Sequence, residues 1–312
     1  MKIKPGFNDV LWMAVGAVVL LLPMLAVFHF YLKQNPAQQI AFKTREIELL
    51  DRMRLDLSSA SEAEKSAVLA TTDEESQTFA DQARAKSAAV EQGRKELEGI
   101  LRTGGTRDEK DLFSQFSEAF AEFQRVDEDL LGLAVKNTNL KASSLAFGPA
   151  AEALKEMDAA ISRLVAKGAA SPQAGNATAL ADGARIAALR IQTLLPPHIA
   201  EESNEKMDEL EAAMAKEDQE VRKDLDGLAA LPEFSASPDL ETARLRYAQF
   251  NEIRAQILAL SRENTNVRSL TISLNRKRKV MLMCQDALAA LEQAVQNEPI
   301  TNLTNGPSAM PR

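Results

Sequence analysis

Two copies of the tripeptide Asn-Thr-Asn, at Asn137 to Asn139 and Asn264 to Asn266, carry the groups in this chain best suited to binding. Each copy interrupts an apolar ladder of alternating three- and four-residue steps, from Phe123 to Leu164 in the first and from Phe250 to Leu291 in the second. A polar side chain inside such a seam costs stability unless it is hydrogen-bonded, so each needs a reason to be there. Arg262 and Arg268 flank the second tripeptide, Thr271 follows, and Arg278 sits one heptad beyond it. Arginine forks with amides and hydroxyls suit a small carboxylate. Asn137, Asn264, Asn266, Arg262, Arg268, Thr271 and Arg278 are therefore the candidate ligand-binding residues. Lys136 and Lys141 flank the first copy, so the second supplies most of a pocket's charge. A structural reading competes: a buried Asn layer pins the stagger of long helices, and two layers at matching height can pair with each other.

Other chemistry is scarce. No Walker A, GxGxxG, HExxH or GxSxG pattern is present, and nothing pairs a nucleophile with a base, so no enzyme is expected. Two histidines and one cysteine leave little for a metal, and neither metal nor cofactor is expected. Cys284 falls on the ladder as a small buried hydrophobe, and His198, after Pro196-Pro197, reads as incidental. The run Arg276 to Lys279 reads as a solvated helix face, with a docking patch as its functional alternative. A net charge of −8 argues against nucleic acid as a partner.

The elements holding these residues are helical. Aromatics make up 5% of the 312 residues, while Ala, Leu, Glu, Lys, Arg and Gln dominate after residue 35. The apolar ladders match position by position, and Arg94 to Ile100 returns as Arg222 to Leu228, so the chain contains an internal repeat. The expected fold is all-α, a long antiparallel four-helix bundle of two repeated hairpins, 36–168 and 176–297. The first helix reads from Pro36 to Leu101. A capping box at Thr106 and Glu109 starts the second, which ends at Gly168. Asn176 is the expected cap of the third, and Ser237-Pro238 opens the fourth. Pro196-Pro197, Thr72 to Glu75 and Gly148-Pro149 mark mid-height, as two stacked modules require or as kinks in one bundle.

Residues 10–32 carry no charge and are long enough, at about 1.5 Å per residue, to cross about 30 Å of hydrocarbon. An uncleaved transmembrane anchor after a nine-residue tail is the expectation. Flanking lysines and arginines do not decide its orientation. Residues 298–312, rich in proline, read as a disordered tail.

The segment Leu258 to Lys279, with Arg-Glu-Asn-Thr-Asn-Val-Arg at its centre, resembles the last helix of four-helix-bundle sensor domains of bacterial methyl-accepting chemotaxis receptors. Leu131 to Ala142 resembles the corresponding earlier helix, and the long hairpins are similar to the helical bimodular variant. The resemblance implies a single-pass inner-membrane protein with its bundle in the periplasm, dimeric and responsive to a small organic acid. The cytoplasmic signalling hairpin of such receptors is missing from this sequence, so output would come from a membrane partner. The alternative is a structural tether of an envelope complex with no small ligand, in which replacing Asn264 and Thr271 by Leu raises stability.

Overall fold

The computed structural model describes residues 36–299, all helix and connecting turns with no strand among them. In chain order the helices are α1 (Pro36–Leu69), α2 (Asp73–Gly104), α3 (Arg107–Ala134), α4 (Thr138–Leu145), α5 (Ala151–Lys167), α6 (Ala174–Ala200), α7 (Asn204–Ala230), α8 (Pro238–Glu263), α9 (Thr265–Ile272) and α10 (Arg278–Asn297). Two single π-helical turns, π1 (Ala146–Ala150) and π2 (Ser273–Lys277), join α4 to α5 and α9 to α10. The apolar run 10–32 and residues 300–312 lie outside the described residues. No helix among those described is long and apolar enough to cross a membrane.

The capping signals at Thr106 and Ser237 hold where they were read. The Thr106 hydroxyl accepts the Glu109 amide at 3.2 Å, and the Glu109 carboxylate accepts the Thr106 amide at 2.7 Å. Ser237 caps α8 through the Asp239 amide, with Pro238 in its first turn. Asn176 lies inside α6 instead of capping it.

One expectation about the elements is corrected. The stretch from Pro36 to Leu101 is two antiparallel helices, with Arg45 beside Glu96 and Asp56 beside Lys86. The reversal occupies residues 70–72, where the Thr72 hydroxyl accepts the Glu75 amide at 3.1 Å and Asp73, Glu74 and Glu75 face the positive helix end. The third expected helix likewise divides at residues 201–203, so that His198 meets Glu211 and Arg190 meets Glu217. Pro196 and Pro197 sit within the last turns of α6, just ahead of that reversal. The repeated unit is thus a short helical hairpin followed by a long interrupted helix.

The chain divides into two compact units. The first takes residues up to 59, 85–122 and from 280; the second takes 60–84 and 123–279. In the first unit, parts of α1, α2, α3 and α10 bury Leu50, Leu97, Phe116, Phe120, Cys284 and Leu288, with the Phe116 and Phe120 rings stacked at 5.6 Å. Burying such side chains contributes about 1.5–3 kcal/mol each. In the second unit Ala142, Ala146, Ala150 and Ala153 share one core with Ala177, Ala181, Ala184 and Ala188 of α6. Small side chains at a helix contact let the axes approach closely.

One end of the first unit titrates. Glu46 is buried, and burial, then Glu109 and Glu298, push its carboxyl up to about 7 against the pull of Lys43. The folded state then keeps a proton that the unfolded chain releases near the ordinary carboxylate value. Stability from this group is present below that value and is lost as pH rises through about 7. Melting curves should fall between about pH 5 and pH 8, and Glu46→Gln should flatten that slope. An unchanged slope in the variant would exclude Glu46 as its source.

Candidate functional site: a reciprocal polar clasp

The two Asn-Thr-Asn segments meet face to face in the second unit. Each follows a break in its long helix at an asparagine in the left-handed region, Asn137 at φ 52° and Asn264 at φ 53°. Asparagine tolerates this conformation better than other side chains, which pay about 1–2 kcal/mol for it. A helix that restarts leaves its first amides without intrahelical partners. Here each restart is capped by the other helix. The Thr138 amide donates to the Thr265 hydroxyl at 3.2 Å and the Thr265 amide to the Thr138 hydroxyl at 3.1 Å. The Asn139 amide donates to Asn266 Oδ1, and the Asn266 amide to Asn139 Oδ1, each at 3.1 Å. Capping bonds of this kind contribute about 1 kcal/mol each.

The remaining amide groups tie down the hairpin tips. Asn139 Nδ2 donates to Asn264 Oδ1 and to the Ile199 carbonyl. Asn266 Nδ2 donates to Asn137 Oδ1, Asn137 Nδ2 to Asp73, and Asn264 Nδ2 to the Glu201 carbonyl. Lys141, then Asn137, holds the Asp73 carboxyl below its ordinary value. The α1–α2 and α6–α7 turns therefore dock on equivalent left-handed asparagines.

The hydrogen-bonding groups of Asn137, Asn264 and Asn266 are thus taken up by one another and by neighbouring backbone, which is the pairing that the structural reading anticipates. Arg262 is held by Glu211 and Asp208, and Thr271 donates to Glu202 at 3.2 Å. Arg268 and Arg278 are exposed and join neither clasp nor core.

Arg278 was expected in the seam, and the reason it is not there is geometric. After each left-handed asparagine the buried stripe shifts by one residue and advances in steps of four, through Thr138, Ala142, Ala146 and Ala150, and through Thr265, Ser269, Ser273 and Lys277. The π turns, each with one extra residue in the turn, carry the stripe back to the ordinary pattern. Phe147 and Leu274, ladder residues by sequence, are exposed at 70% and 60%. Lys277, expected on a solvated face, is buried instead. It pairs with buried Asp127 and lies 3.2 Å from the centroid of the Phe123 ring. Burial pushes the Asp127 carboxyl up against the pull of Lys277, and it pushes up that of fully buried Glu64 as well.

His198 was the other residue that sequence reasoning passed over. It is fully buried, with Nδ1 2.8 Å from Ser261 Oγ and Nε2 2.9 Å from Glu211. The Ser261 hydroxyl gives its proton to the His198 carbonyl, so this aligned serine, histidine and carboxylate ties α6 to α8. Arg262, and after it His198, hold the Glu211 carboxyl below its ordinary value against the effect of burial. A cleft of about 280 Å³ between α5 and α6 has an apolar floor including Leu154 and Leu189, and its arginine, Arg185, is neutralised by Asp158 and Asp182.

Residues 43–171 match the family of the four helix bundle sensory module for signal transduction. No curated protein and no solved structure matches the chain.

Proposed function

We propose, from the sensory module at residues 43–171, that this chain is a chemoreceptor-like sensor bundle that binds a small organic acid and passes the change to a partner in the inner membrane. The family match is the observation that carries the reading. The apolar run 10–32 would anchor the bundle, with the helices on the periplasmic side and two copies side by side.

The built form of the bundle agrees with such a role. Its polar interior is concentrated where two helical breaks, two π turns and two hairpin tips meet, and π turns often mark functional positions. A ligand that favours one packing of these elements shifts the population toward it, by no more than its difference in affinity between the two.

The test is a thermal-shift screen of the full chain against organic acids, amino acids and small aromatics. A ligand at a hundred times its dissociation constant should stabilise the protein by about 2.7 kcal/mol. A response confined to one chemical class is the expected result. A flat panel would remove the sensor and leave the tether.

A further inference from the structure

Three helices of the first unit bring charge to one buried carboxyl. Glu46 is buried on α1, with Lys43 one turn before it. The first turn of α3 contributes Glu109, which is also buried, and the end of α10 contributes Glu298. Arg45, next to Glu46 in sequence, pairs on the exposed surface with Glu96 of α2. The cluster therefore sets three carboxylates against one ammonium.

Two of these groups already have work. The Lys43 ammonium donates to the carbonyls of Val295, at 3.0 Å, and Glu298, and stands 3.3 Å from the Glu298 carboxylate. The helical partner of the Val295 carbonyl would be the amide of residue 299, which is a proline and has none. Lys43 stands in for that missing amide, at the helix end where the dipole is negative. The Glu109 carboxylate accepts the Thr106 amide at the start of α3. Glu46 is left to answer to pH, since burial and its two acidic neighbours push its carboxyl up to about 7. Once ionised, it competes for Lys43 and adds a further negative charge at the negative end of α10.

We propose that Glu46, Lys43 and the last turn of α10 form a proton-operated latch. With Glu46 protonated, Lys43 holds the end of α10 against α1. With Glu46 ionised, Lys43 turns to it and the last turn of α10 comes free. The latch stands apart from the organic acid of the sensor reading and adds the proton as a second input. It acts at the end of α1 that follows the apolar run 10–32 in sequence.

The experiment places a nitroxide label on the full chain at exposed Asn297, as Asn297→Cys, the native Cys284 being buried. Its mobility is read from pH 5 to pH 8. The ratio of free to fixed label should rise by up to about tenfold per pH unit and level off above about 7, the sign required of an acid that holds its proton more tightly when latched. Glu46→Gln mimics the protonated carboxyl, so its label should stay fixed throughout. Lys43→Met removes the hold, so its label should be free already at pH 5. A label at Lys206 in the second unit should not change. A parent label indifferent to pH would overturn the latch, as would a slope that persists in Glu46→Gln or a fixed label in Lys43→Met. Loosening at Lys206 in parallel would make the transition global unfolding and overturn it as well. None of these results touches the ligand screen, so latch and sensor fail separately.

Discussion

Replacing Lys277 by Met is expected to destabilise the second unit by about 3–5 kcal/mol, among the largest effects of any single substitution in this protein. The ammonium is 1% exposed and its partner Asp127 is 5% exposed, so the substitution strands a carboxylate in the core. Glu64, fully buried, lies in the same cluster, where burial raises its carboxyl against the pull of Ser273 and of the same cation. The stranded acids must then take up protons or draw in water, and either disrupts packing around Phe123. The double variant Lys277→Met with Asp127→Leu should recover most of the loss, because removing both partners also removes the desolvation penalty. Denaturant unfolding of the parent, the single and the double variants measures both numbers. A single variant within about 0.5 kcal/mol of the parent would mean that the pair is solvated.

Asn264→Leu is expected to cost about 3–4 kcal/mol. The side chain accepts from Asn139 and donates to the Glu201 carbonyl, both at 2.7 Å, and its backbone is left-handed. Leucine loses both bonds, leaves the Asn139 amide with only the Ile199 carbonyl as acceptor and pays the left-handed penalty of about 1–2 kcal/mol. This reverses the gain expected for a polar residue in an apolar seam. Asn264→Gly separates the contributions, since glycine keeps the backbone at no strain and loses only the bonds. Glycine should therefore fall about midway between leucine and parent. A leucine variant as stable as the parent would show that neither backbone nor bonds matter there.

Much of this fold was legible in the sequence, and the failures have physical causes. Capping boxes are local, so Thr106 with Glu109 and Ser237 with Pro238 marked true helix starts. The box at Thr72 was also visible. With no glycine or proline near residues 70–72, however, nothing distinguished a full reversal from a kink. The repeat and the pairing of its asparagine layers followed from counting. The same counting misplaced Phe147, Leu274 and Arg278, because it carried one helical period through a left-handed residue and a π turn. Lys277 was hidden among three other cations, and only its partner Asp127, far away in sequence, explains its burial.

The clasp also has an internal two-fold symmetry. Asn137 bonds Asn266 while Asn264 bonds Asn139, and Thr138 meets Thr265, its own counterpart. Such contacts are isologous, of the kind a two-fold axis imposes on identical subunits. Both copies also have a left-handed asparagine and a π turn at the same place. The two halves thus meet as two identical chains would, although matched positions differ, with lysine at 277 and alanine at 150. Cutting the loop between Gly168 and Gln173 should still leave two fragments that find each other.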